Sequence, residues 1–193
     1  MSVESPAYEV IRRDGPFEVR RYEGYLRAVV HVAASSYGQA ANAGFSPLAD
    51  YIFGSNRASD RIAMTAPVSA GRASGEKIAM TAPVTATQTD DDYVVSFTMP
   101  SGYSMEDLPL PNNPRVILEP VGPHVVATVK FSGYMSDKGN AKAQAQLEDW
   151  MRAQGLTPAG EPVSAQYNAP WIPGFARRNE IMIPVQAAAG EMH

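Results

Sequence analysis

The sequence predicts an α+β fold made from two copies of one unit, each a few antiparallel strands and a single helix. Three observations carry this. Segments near both ends alternate apolar and polar residues with period two, the pattern of half-buried strands. Two stretches change to helical spacing, each bounded by capping residues. The order strand, Gly-Pro turn, strand ending near Gly-Tyr, then helix occurs over residues 8–54 and again over 116–155, an offset close to one hundred. The first occurrence carries "GPFEVRRYEGY" and the second "GPHVVATVKFSGY". One helix cannot by itself cover and close a strand face. Two such halves facing each other can, and they leave a cleft between them.

Each element follows from its own residues. Tyr8 and Val10, then Phe17 and Val19, then Ala28, Val30 and Val32 mark strand faces around turns at Asp14-Gly15-Pro16 and Glu23-Gly24. In "SSYGQAANAGFSPLADYIFG", Ala41, Phe45, Leu48 and Ile52 form a helical stripe, with Ser35 or Ser36 as its cap and Gly54 at its end. Pro47 lies inside, which predicts a kink or a late start. The block Met-Thr-Ala-Pro-Val then occurs twice, in "RIAMTAPV" and "KIAMTAPV", separated by the loop "SAGRASGE". Both copies read as strands, and together as a hairpin in which Met64 and Met80 point to the core and Pro67 and Pro83 mark where pairing stops. "DDYVVSFTMP" is a strand, "SGYSMEDLPLPNNP" a loop, and "RVILEPVGPHVVATVKFSGY" two strands around Gly122-Pro123. In the second helix, Ala143, Leu147, Trp150 and Met151 share one face and Gly155 follows its end. "EPVSAQYNAPW" and "NEIMIPV" are closing strands, and residues 186–193 read as a loose tail.

Composition removes several function classes. The 193 residues contain no cysteine, so disulfides, zinc-thiolate sites, iron–sulfur clusters and thiol nucleophiles are excluded. The formal charge is -4, without the basic clusters that nucleic acid or a membrane surface requires. The start has no signal-peptide pattern and no apolar run could span a bilayer, so a soluble cytoplasmic protein without membrane insertion is expected. The three histidines lack metal-site spacing, and no nucleophile elbow, phosphate loop or dinucleotide fingerprint occurs. Asp90-Asp91-Asp92 reads as a solvated turn. The chain is therefore expected not to be an enzyme, and Glu180 is the acid to suspect if it is one.

Four blocks, "YEVIRRDGPFEVRRY", "DYIFGSNRASDRIAMTAPV", "VVSFTMPSGY" and "YNAPWIPGFARRNEIMI", together resemble the SOUL haem-binding protein family. The resemblance runs from about Tyr8 to Val185. It implies one domain over residues 1–193, with half-units of about 8–100 and 101–185. It also implies a distorted antiparallel β-barrel, or two sheet layers with two main helices, related by a pseudo-twofold and similar to gyrase-inhibitor-like ligand-binding domains. The implied activity is non-covalent binding of haem b or a related tetrapyrrole, for buffering, delivery or sensing. The implied surface is Phe45, Leu48, Ala49 and Ile52 on the first helix with Tyr167 and Trp171 in the late loop. Some members carry basic residues on that helix, where this chain has Asn42 and Asp50, and some carry a histidine where this chain has Arg21.

For the ligand itself, Tyr167 and Trp171 in their proline frame offer a stacking wall, or else a structural plug. Arg177 and Arg178 could clamp propionates, or else pair with Glu180 or another nearby acid. His31, His124, Met64 and Met80 are the axial donors available for iron, with a surface histidine and a core methionine as the alternatives. Two further functions stay open. Asn42 and Asp50 suit a module for another small amphiphile, neutral or cationic, and a bound tetrapyrrole or small molecule could also be a substrate.

Overall fold

The computed structural model describes residues 4–57, 75–89, 92–168 and 172–186. Strands β1 (Tyr8–Asp14), β2 (Phe17–Tyr22) and β3 (Tyr25–Ala33) precede helix α1 (Tyr37–Ile52). Strands β4 (Asn56–Arg57), β5 (Val84–Gln88), β6 (Asp92–Thr98), β7 (Leu110–Pro111), β8 (Ile117–Val121) and β9 (His124–Phe131) follow. Helix α2 (Asp137–Ala153), β10 (Val163–Gln166), a 3-10 turn (Gly174–Ala176) and β11 (Asn179–Pro184) complete the order. Nine strands form one antiparallel half-barrel in the order β1-β2-β9-β11-β10-β5-β6-β3-β8, while β4 and β7 pair separately.

That order contains the duplication. Reading outward from the β10·β5 pair, β11 answers β6, β9 answers β3 and β2 answers β8. Helix α1 packs on β3 and β6, and α2 packs on their counterparts β9 and β11. Caps Ser36 and Ser136 stand one hundred positions apart, each accepting a backbone N–H three residues on. The sequence match is corrected in one respect. Gly122-Pro123 corresponds to the Glu23-Gly24 turn, because β8 is the counterpart of β2 and β1 lies outside the repeat. The halves also exchange strands: β2 pairs with β9, and β8 pairs with β3.

Each helix covers its own core. The first core joins Leu48, Tyr51 and Ile52 of α1 to Val30, Val95 and Phe97 of the sheet. The second joins Leu147 and Met151 of α2 to Val19, Ala127, Val129, Ile181 and Ile183. Helix α1 continues through Pro47 to Ile52, so the predicted late start does not occur. Its Gly44 is required by contact: an added Cβ would lie 2.6 Å from the Val95 Cβ. Gly54, at φ +111°, closes the helix as its spacing predicted. In α2 the buried residues are the four expected ones. Phe17 stacks on Trp150 at 5.1 Å, and the indole N–H donates to Asp14 Oδ2 at 2.8 Å.

The doubled block departs from its reading. Its first copy, with Met64 and Pro67, lies outside the described residues. In the second copy, Lys77–Pro83 is not a strand. Ile78 N–H donates to Ile52 O and Ala82 N–H to Glu4 O, so this segment bridges elements instead of extending a ladder. The strand begins at Val84, and β10 and β6 flank it on both sides. Met80 is 41% exposed and does not point to the core. The tail residues 187–193 are likewise outside the described residues.

Candidate functional site

Period two sends alternate side chains of the main sheet away from the helices. On β2, Phe17 and Val19 enter the α2 core, while Glu18, Arg20 and Tyr22 face the other way. Glu180 and Met182 on β11 join them, as do His124, Val126, Thr128 and Lys130 on β9. This concave face holds a buried ion network. Arg20, fully buried, donates from both terminal nitrogens to Glu180 at 2.6 and 2.9 Å and from Nε to Glu18 at 2.7 Å. Arg178 donates to Glu180 Oε1 at 2.8 and 3.0 Å, and the Tyr167 hydroxyl donates to Oε2 at 2.9 Å. Lys130 and Arg13 hold Glu18 Oε1 at 2.8 and 3.0 Å.

These contacts set the charge states. Burial raises the Glu18 carboxyl, but the hydrogen bonds from Lys130 and Arg20 outweigh it and bring it down to about 2. Burial also opposes ionisation of Glu180, and Arg20 with Arg178 again wins, so its pKa is lowered. The Tyr167 phenol is pushed up by burial and then by the charge of Glu180, and it stays protonated as a donor.

Beside the network, the concave face opens into a cavity of about 200 Å3. Tyr22, Tyr25, His124, Val126, Met182 and Pro184 are among its lining residues. His124 stacks on Tyr22 at 5.4 Å, and its Nδ1 lies 2.8 Å from the Gly122 carbonyl. That carbonyl only accepts, so Nδ1 carries the proton and donates. In the neutral ring Nε2 then holds the lone pair.

Comparison with known proteins places this geometry. The family model for the SOUL heme-binding protein matches residues 3–75 and 69–184, two segments that together cover most of the chain. The chain belongs to the SOUL heme-binding protein family. Human "Heme-binding protein 2" is similar at 26% identity over 188 residues, 94% of this chain and 86% of that protein. The EcmrR C-terminal domain has the same fold, with a TM-score of 0.64 at 11% identity over 94% of this chain and 99% of that one. So does a structure described as a hydrolase from Listeria innocua, with a TM-score of 0.56 at 11% identity over 91% and 94%. The two SOUL segments agree with the duplication seen in the sheet. Among the described residues no helix is long and apolar enough to cross a membrane.

The SOUL-implied surface is distributed differently from the expectation. Leu48, Ala49 and Ile52 are buried in the α1 core. Their spacing fits core and ligand surface equally well, and only the sheet beneath shows how deeply they are packed. Phe45 is 38% exposed, edge-on to Phe97. Trp171 lies outside the described residues. Tyr167 serves the Glu180 network, and Arg178 pairs with Glu180 while stacking on the Tyr167 ring at 4.1 Å. Arg177 is buried, donates to Ile172 O at 2.7 Å and lies over the Tyr134 ring at 4.5 Å. Both arginines thus have partners within the chain, and for Arg178 that partner is Glu180, the intramolecular pairing that the sequence left open. Of the axial donors, His31 is exposed on β3 and Met80 is exposed on its connecting segment, while His124 alone of these described candidates lines a cavity.

Whether a tetrapyrrole suits the chain is a question of donor set. An oriented imidazole, two phenol rings, a thioether and apolar residues meet at the concave-face cavity, and this set suits a flat apolar ring with one axial position. At about 200 Å3 the cavity takes the edge of such a ring and not its whole volume. His124 was among the donors the sequence offered, and what the sequence did not show is the contact of its Nδ1 with the carbonyl of Gly122 two residues before it. A histidine just past a turn can reach back to the turn's own carbonyl.

Proposed function

We propose that the chain binds haem or a related tetrapyrrole reversibly at the mouth of the concave-face cavity. The observation that supports this most is His124, whose Nδ1 is engaged by the Gly122 carbonyl and whose ring is braced by Tyr22. The same backbone hydrogen bond commonly orients ligating histidines. Bound haem would supply an iron centre, and His124 would be the residue to hold it through Nε2. Tyr22 and Tyr25 offer aromatic contact, and Val126, Met182 and Pro184 offer apolar surface whose burial contributes about 25 cal/mol per Å2 before ordering costs.

Binding without turnover is part of the proposal. Glu180 has both oxygens taken by Arg20, Arg178 and Tyr167, and its lowered pKa leaves no proton to donate near neutrality. Titrating hemin into the protein should shift the Soret band and saturate near one equivalent. His124→Ala should weaken that shift or change its position, while His31→Ala should leave it intact. A spectrum that stays that of free hemin at micromolar protein sinks the proposal.

A further inference from the structure

A separate cleft of about 780 Å3 lies on the helix side of the sheet. It lies where the first turns of α1 and α2 meet the β5–β6 turn and the start of β10. Its volume falls in the range typical of small-molecule pockets. Its charged lining residues are Asp137 and Glu161, with no Lys, Arg or His among them. Lys138 and Lys142 sit on α2 nearby, but they are exposed and do not line the cleft.

The acid is held in place. Asp137 Oδ1 accepts the Tyr37 backbone N–H at 2.8 Å, so the first residue of α2 caps α1. Tyr37 and Tyr93, both nearly buried, contribute aromatic surface. The Tyr93 phenol is raised by burial and then by the charge of Asp137, so that charge is felt at the aromatic wall. Asn140 donates from Nδ2 to Ser164 Oγ at 3.2 Å, which ties the α2 wall of the cleft to β10. The duplication made the cleft asymmetric: Tyr37 and Asp137 occupy corresponding positions in the two halves, as do Ala40 and Asn140.

We propose that this cleft is a second ligand site, which takes a flat organic cation bearing N–H donors. Its ring lies against Tyr37 and Tyr93, and its N–H groups meet Asp137 and Glu161. A haem-like dianion is repelled here by the same carboxylates. The proposal does not rest on the tetrapyrrole reading, since the two sites share no residue.

Proflavine, a flat diamino cation with its own fluorescence, tests it against fluorescein, a flat anion of similar size. The full chain should bind proflavine saturably near one equivalent and leave fluorescein free. Asp137→Asn keeps the cap to Tyr37 and removes the charge. Together with Glu161→Gln it should weaken proflavine by about tenfold or more. Added salt should weaken the wild type. His124→Ala should leave proflavine binding unchanged, which separates this site from the tetrapyrrole one. The proposal is overturned if proflavine shows no saturable binding, if fluorescein binds as well, if the Asp137/Glu161 double variant binds normally, or if His124→Ala abolishes binding.

Discussion

At the scale of single residues, Arg20 has the most demanding environment in the chain. It is fully buried and satisfied by two carboxylates on different strands, one of them 160 positions away. Breaking a buried pair leaves an uncompensated charge. Arg20→Met should therefore destabilise the fold by about 3–5 kcal/mol in urea unfolding, and a value near zero would refute the account. The acids give a pH signature with a fixed sign. Glu18 and Glu180 have folded pKa values below their unfolded ones, so their contribution is full above roughly pH 5, where the unfolded carboxyls are ionised. It is lost as the pH falls through the folded value, about 2 for Glu18. Stability measured from pH 6 down to pH 2 should fall progressively, and Glu18→Gln should flatten the slope. The Arg178–Glu180 pairing was one of two readings the sequence left open, and the contacts of Arg20 were not legible in it. "RRNE" announced charged neighbours, but only strand pairing could show that Glu180 faces Arg20.

At the scale of elements, most of the fold was legible. Both helices end near the capping residues that predicted them, and the four buried residues of α2 are those its spacing selected. The strand pairs around Gly122-Pro123 and in "DDYVVSFT" likewise follow from period-two alternation. The second copy of the doubled block misled because alternation in a short apolar run fits a strand or a pinned connection equally well. The partners of its N–H groups, Ile52 and Glu4, decide the matter. Gly44 supplies a sharp test at this scale. Since Val95 occupies the space of its missing Cβ, Gly44→Ala should cost about 1–3 kcal/mol by overpacking despite the better helix propensity of alanine. A stabilised variant in thermal unfolding would show that α1 and β6 can separate freely. Ser136→Ala should cost about 1 kcal/mol through loss of the cap, read from the shift in urea midpoint.

At the scale of the whole molecule, the strand exchange between halves makes one cooperative unit from two similar sequences. Residues 1–100 contain β2 without its partner β9, and residues 101–193 contain β8 without β3. Each fragment alone should lack dispersed amide resonances, while an equimolar mixture should recover them. Independent folding of either fragment would contradict the exchange. By itself, the sequence determined the α+β class, the two helices, the core face of α2, the duplication and the family, because these depend on periodicity, caps and short motifs carried by neighbouring residues. Tertiary structure alone decided which turn answers which, that Leu48 and Ile52 are core, that Arg178 is bound to Glu180, and where His124 and Asp137 open onto cavities. Those outcomes depend on which strands pair across distances of a hundred residues or more, and local pattern leaves such pairings open.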